Sequence, residues 1–301
     1  MRLRVLGTAA GGGVPQWNCA CPGCRGARAH PERRRLHASL AVEAAPGRAY
    51  IVNATPDLGE QVESCPWLLP GPGPRDTPLA GVLLTDAELD HTLGVPRLRE
   101  ADELEIWSTP AVREAVAERL GLDALLAPYV GLTWRGLPSG DDFEPLGGPG
   151  GPECTVEVSS IPLSDKRPRY AAGPGSPEGD WVVALWLRDR ATGGSLLYAP
   201  AMGVWPPALD EAAYASDCVI VDGTFWDDEE PLRSGFSKRT ATQMGHLPVT
   251  ETAARLTALP GRALYTHLNN TSPLVDPDSP ERAELAALGL AVAEEGMVIE
   301  L

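Results

Sequence analysis

The chain has 301 residues, is 43% hydrophobic, and carries 25 Lys and Arg against 41 Asp and Glu, a formal charge of −16. That apolar content supports a large core, and the acidic balance argues against a chain built to neutralise nucleic-acid phosphates. No apolar run approaches the roughly 20 residues that cross a bilayer, and "MRLRVLGTAAGGG" lacks a signal-type apolar stretch of about 7–15 residues, so a cytoplasmic protein without a membrane partner is expected.

The first element, "LRVLG" (3–7), reads as a buried strand. It runs into "LGTAAGGGVPQWNCACPGC" (6–24), small residues followed by C-x-C-x-x-C. The phosphate-loop patterns G-x-x-x-x-G-K-[ST] and G-x-G-x-x-G with an acidic partner are both absent. Without a signal peptide, clustered cysteines indicate metal rather than disulfides. Cys19, Cys21 and Cys24 supply three thiolates, one short of the four that structural zinc takes. A catalytic thiol is the rival reading. Cys65, Cys154 and Cys218 stand alone and read as inert buried thiols. "HPERRRLH" (30–37) reads as a solvated basic face or a local anion site.

"HASLAVEA" (37–44) and "RAYIVNAT" (48–55), joined at Pro46–Gly47, read as an antiparallel hairpin. "GVLLT" (81–85) is a central strand and "LEIWST" (104–109) another. "PAVREAVAERLG" (110–121), with Pro at its start and Gly at its end, is a helix. Residues 137–152 and 164–180 are rich in Pro and Gly and read as loops, a flexible lid among the options. Strands follow at 181–189, 194–200 and 218–225. Then come a helix at 250–259, a strand at 262–268, a helix at 281–289 and a last strand at 297–301. Two face-to-face sheets with helices on both outer faces accommodate this order, as one domain over 1–301.

The chemistry gathers after strand 81–85, in "TDAELDHTLG". Asp86, Glu88, Asp90 and His91 follow directly on a buried strand, where layered folds build sites. Three carboxylates and an imidazole suit a metal; the bland alternative is an acidic first helical turn. Of five histidines, His267 in "YTHLNN" ends a strand and His246 in "MGHLPVTETAARL" precedes a helix.

These segments, with "NATPDL" (53–58), "YAPAMG" (198–203), "DCVIVDGTFWDDEE" (217–230), "MGHLP" (244–248), "HLNNTSP" (267–273), "SPERAEL" (279–285) and "EEGMVIEL" (294–301), resemble the coenzyme PQQ (pyrroloquinoline quinone) biosynthesis protein B family from end to end. The resemblance implies a metallo-β-lactamase-like αββα sandwich (α/β, or α+β), with two mixed sheets between outer helices. It lies nearest the tRNase Z and phosphonate-pathway phosphodiesterase branch. The superfamily's metal motif H-x-H-x-D-H reads Asp86-Ala87-Glu88-Leu89-Asp90-His91 here. Its bridging Asp falls at Ala201, its middle His has no counterpart in "IPLSDKRP" (161–168), and its last His is His267. A two-metal hydrolase clamps ions about 3.5–4 Å apart. With those ligands gone, what remains is Asp90, His91 and His267, the set of non-heme iron(II) oxygenases.

The resemblance therefore implies Fe(II) at that site, O2, and hydroxylation of the tyrosine in a peptide-derived Glu–Tyr unit or a PQQ intermediate. It also places Asp222 and His246 where the tRNase Z branch carries a proton-relay pair. Asp86 and Glu88 could orient histidines or add a ligand. By the same comparison, Asn270 falls where related phosphodiesterases complete the cysteine zinc site, with another side chain or water as alternatives. Two rival functions remain open: a metallo-hydrolase (peptidase or phosphodiesterase) with a second metal, and a carrier of PQQ or its precursor. A carrier should offer a basic pocket drawn from Arg33–Arg35, Lys166, Arg167, Arg169, Lys238 and Arg239. A homodimer is left open.

Overall fold

A computed structural model describes residues 1–148, 154–173 and 175–301. One sheet holds Arg2–Gly7 (β1), Ser39–Ala45 (β2), Arg48–Val52 (β3), Leu79–Leu83 (β4), Glu103–Ser108 (β5) and Gly131–Gly136 (β6). The other holds Glu144–Pro145 (β7), Val156–Ser164 (β8), Val182–Asp189 (β9), Ser195–Ala199 (β10), Cys218–Asp222 (β11), Arg262–Thr266 (β12) and Ala291–Val292 (β13). Val298–Glu300 (β14) returns to the first sheet. The spatial orders are β14-β1-β2-β3-β4-β5-β6 and β13-β12-β11-β10-β9-β8-β7.

Alternation along the strands builds the layers. Leu3, Val42, Val52 and Trp107 of the first sheet meet Val158, Leu185, Tyr198 and Ile220 of the second in one inner core. The opposite faces carry Ile51, Val82, Ile106, Val219, Val221 and Tyr265. These share a core with helix residues Leu58, Val112, Leu209, Val249 and Leu256. This is the αββα sandwich expected above.

Each sheet is half antiparallel and half parallel: β3 to β6 and β10 to β13 run parallel. Parallel strands bring their C-terminal ends to one rim. On that rim stand Asn53 after β3, Asp86 after β4, Asp222 ending β11 and His267 after β12.

Several elements differ from the sequence reading for local reasons. β11 stops at Asp222 rather than running to 225. The Asp222 carboxylate takes the Thr224 N–H at 2.9 Å, an Asx-type turn that ends the ladder. The 110–121 helix is α-helical only over Pro110–Glu114 and continues as a π-turn over Ala115–Arg119. β8 went unread because Ser-Ser-Ile-Pro breaks its apolar pattern; Pro162 sits at a register shift, where its missing N–H costs little. In the 137–152 reading, Glu144–Pro145 form a short strand; residues 149–152, like 174 in the second loop, lie outside the described residues.

The basic run at 30–37 is a solvated face only in part: Arg34 is exposed, but its neighbours are engaged. Arg33 pairs with Asp276 at 2.9 Å and Asp278 at 2.8 Å, and buried Arg35 pairs with Glu294 at 3.0 Å and donates to Thr8 Oγ1. Its partners lie near the far end of the chain, beyond the reach of local pattern. Cys65, Cys154 and Cys218 are buried free thiols, as expected. Among the described residues, no helix is long and apolar enough to cross a membrane.

Candidate metal centre

Asp90 and His91 lie on a single short helix, Leu89–Thr92, after β4, and His267 follows β12. Asp90 Oδ2 is 3.7 Å from His91 Nε2 and 3.5 Å from His267 Nε2. Both imidazoles are buried, and both Nε2 atoms lack a hydrogen-bond partner. A buried polar atom left unpaired is costly. Two such nitrogens converging on one carboxylate make a donor set suited to a cation.

The opposite edge of each imidazole is tied down. His91 Nδ1 lies 2.7 Å from Asp86 Oδ2. Asp86 in turn accepts from Thr85 Oγ1 at 2.8 Å and the Glu88 N–H at 2.9 Å. Thr85 is pinned by Asn53, whose Oδ1 takes the Thr85 N–H at 3.0 Å. His267 Nδ1 lies 2.9 Å from Thr224 Oγ1, and that hydroxyl donates to Asp222 Oδ1 at 2.5 Å. An ionised carboxylate only accepts, so both histidines carry a proton on Nδ1, which leaves Nε2 as the atom that would face a metal.

The surrounding carboxylates favour positive charge at His91, so a cation bound at its Nε2 takes the place of a proton there. Burial alone would lower the His91 imidazole, but Asp86 and Asp90 outweigh it and lift it to about 9. Burial likewise opposes ionisation of Asp90, and His91 and His267 overcome it, holding the carboxyl far below the usual range. Burial dominates at His267 and lowers its imidazole.

A second pair sits beside this set. His246 Nδ1 is 2.7 Å from Asp222 Oδ2, which also takes the Met202 N–H at 2.8 Å. The His246 and His267 rings stack at 5.7 Å. The predicted Asp222–His246 pair is thus present, adjacent to the triad. Asp86 orients His91, whereas Glu88 turns to Lys166 at 3.9 Å.

These groups line a cavity of about 270 Å³ together with Gly11, Gly12, Val182, Ala201, Phe225, Met244 and Asn269. Ala201 offers no ligand atom there. Gly11 passes so close to Asp90 that a Cβ would come within 3.2 Å of the carboxylate; the loop can approach because it has no side chain.

Cys19, Cys21 and Cys24 place their sulfurs within 4.8 Å of one another. Asn270 brings its side-chain amide to 3.2 Å from Cys19 Sγ and 3.3 Å from Cys21 Sγ. Backbone N–H groups of Gln16, Cys21 and Cys24 also point at sulfurs, the pattern that supports thiolate charge. The cysteine cluster and the triad are therefore linked through the segment from His267 to Asn270.

Sequence reasoning missed three contributors and named a fourth, Lys166, only as a cation for a carrier's pocket. His37, held by Asp57, reaches Gly11 O at 3.3 Å beside the cleft. Thr224, Asn53 and Lys166 complete the surround. The segment "NATPDL" contained Asn53 and Asp57, but nothing local named their partners.

A beta-lactamase superfamily domain matches residues 48–268. Curated relatives called "Coenzyme PQQ synthesis protein B" are 40% identical in Azoarcus sp. (strain BH72), over 100% of both chains, and 40% identical in Cupriavidus necator, over 99% of both. The crystal structure of Zn(2+)-bound PqqB from Methylobacterium extorquens is 31% identical, covers 100% of both chains and superposes with a TM-score of 0.88. A diphosphatase of the PhnP family, 18% identical over 100% of this chain and 98% of its own with a TM-score of 0.69, shares the fold. The chain belongs to the coenzyme PQQ synthesis protein B family of the beta-lactamase superfamily.

Proposed function

We propose that this protein acts in pyrroloquinoline quinone synthesis as a mononuclear iron(II) enzyme that hydroxylates the tyrosine ring of a Glu–Tyr unit. The full-length likeness to relatives named for PQQ synthesis supports the pathway. The observation that carries the chemistry is the pair of buried, unpartnered Nε2 atoms of His91 and His267 facing Asp90.

Two imidazoles and one carboxylate suit iron(II) and leave coordination positions open. When bound, iron would supply the activation of O2; one oxygen atom enters the ring and the other leaves as water, taking two protons and two electrons from an external reductant of the ascorbate class. Asp90, His91 and His267 would hold the iron, while Asp86 and Thr224 fix the Nδ1 protons of the histidines. His246, its Nδ1–H committed to Asp222, presents Nε2 as the base for the phenolic proton. Phe225, Val182 and Met244 supply an apolar wall for an aromatic ring. A dinuclear hydrolase is less well supported: Ala201 stands at the bridging position, and Asp222 is saturated by hydrogen bonds.

Cys19, Cys21 and Cys24 fit a separate structural zinc, since three sulfurs converge there; Asn270, whose amide NH2 donates to two of those sulfurs, stands at the place of the fourth ligand. That zinc would fix the glycine loop and the segment bearing His267.

The test is anaerobic loading with Fe(II), then O2, ascorbate as electron donor and glutamyl-tyrosine. A product carrying one more oxygen on the tyrosine ring, absent with His267→Ala, supports the reading. No iron-stimulated product, or full turnover by His267→Ala, refutes it.

A further inference from the structure

We infer that Lys166 and Arg239 form an anion subsite beside the metal cleft, which takes a carboxylate of the substrate. This rests on the proposed function for the identity of the substrate, but not for its test.

The metal cleft is strongly acidic. Asp86, Glu88 and Asp90 line it, and among the described residues Lys166 is its one Lys or Arg. A second cavity of about 240 Å³ adjoins it and shares Lys166, Met244 and Gly245. Its described lining contains two cations, Lys166 and Arg239, and no Asp or Glu. In a chain of net charge −16, a hollow with that balance is a local exception.

Neither cation is consumed by the fold. Lys166 Nζ reaches Glu88 only at 3.9 Å, with both side chains more than a third exposed; such a pair is worth little. The arginines at 33 and 35, by contrast, are locked into ion pairs, and Arg167 lies over the Trp181 ring. Arg239 makes no ion pair among the described residues, and its segment is held by other groups. The Thr240–Gln243 capping box sets the turn, and Asp228 takes the Thr242 N–H and hydroxyl, both at 2.7 Å.

The position of Lys166 is also built. Its aliphatic stem crosses Gly245, where a Cβ would lie 2.6 Å from Lys166 Cδ, and Gly245 has a φ of +88° that favours glycine. The ammonium group thus stands at the junction of the two cavities. A ligand with its aromatic ring at the metal set would place an anionic substituent between Lys166 and Arg239. Charge-assisted contacts of this kind discriminate a carboxylate from a neutral isostere.

The test is calorimetric binding to the full chain loaded with Zn(II), which permits no oxygenation. The probes are glutamyl-tyrosine and the same dipeptide with both carboxylates converted to carboxamides. The wild type should bind the acid at least about tenfold tighter. Lys166→Ala and Arg239→Ala should each remove most of that preference, and Lys166→Arg should restore it. Equal binding of the two probes, absence of binding by the acid, or an unchanged preference in both alanine variants overturns the subsite. Intact discrimination in a protein that never hydroxylates would overturn the iron reading alone.

Discussion

His267 Nε2 stands 3.5 Å from Asp90 Oδ2, although the two residues follow strands of different sheets, β12 and β4. His267 reaches this place with a φ of +59°, in the left-handed region that few non-glycine residues occupy. Its neighbours impose the conformation. Leu268 N–H bonds to Thr8 O at 2.8 Å, Ala10 N–H bonds to Leu268 O at 2.9 Å, and Asn269 N–H bonds to Thr224 O at 3.0 Å. Such strain persists where surrounding structure over-determines it, and it clusters at functional sites.

The tie between Asp86 and His91 gives the first prediction. Asp86→Asn leaves the three metal-facing atoms in place but loosens the tautomer and orientation of His91. Cleft-metal affinity should fall about 10- to 100-fold, read by competition with a metal indicator, while metal at the cysteines is retained. Unaltered cleft affinity would show that Asp86 is only a packing group.

Cys21→Ser should remove one zinc per chain and lower the melting temperature by several degrees, because structural-metal binding energy is folding energy. Cleft-metal affinity should also weaken, since Cys21 Sγ contacts Asn270 O at 3.1 Å on the segment that bears His267. Full zinc content in the variant would remove the clip from the account.

His246→Gln and Asp222→Asn should slow product formation by about 10²- to 10⁴-fold, the usual range for losing a positioned proton acceptor. Cleft-metal content should stay near one ion. Loss of the metal in both variants would instead assign the pair to holding His267 through Thr224.

Glu230 gives a pH dependence of unusual sign. Its buried carboxyl joins two site loops, accepting from Trp226 N–H and Thr271 Oγ1, both at 2.7 Å. Burial raises it to about 7 in spite of these bonds, against about 4.3 in an unfolded chain. Between those values the folded state binds more protons than the unfolded one, so this group lowers stability as pH rises, by roughly 3–4 kcal/mol. Glu230→Gln should flatten the fall in unfolding free energy from pH ~4.3 to ~7. An unchanged slope in denaturant titrations would reject the assignment.

The periodic features were legible from sequence because alternation and end signals are local. The strands at 3–7, 81–85 and 262–268, the residues just beyond them, and the close cysteine spacing all follow from short stretches. Long-range partners were not legible. Arg35 finds Glu294, His37 finds Asp57, and Thr224 meets His267 only once the sheets are stacked. The Pro and Ser residues of β8 hid a strand that pairing on both sides enforces. Lys166, in a stretch read as loop, gains meaning only from the cleft it borders.

Metal content of protein purified without oxygen tests the central claim most directly. The account predicts one ion per chain in the cleft, in addition to zinc at the cysteines. That ion should disappear in His267→Ala while the cysteine zinc stays. Two ions in the cleft of the wild type, or the same cleft metal in His267→Ala, would contradict a single centre on Asp90, His91 and His267.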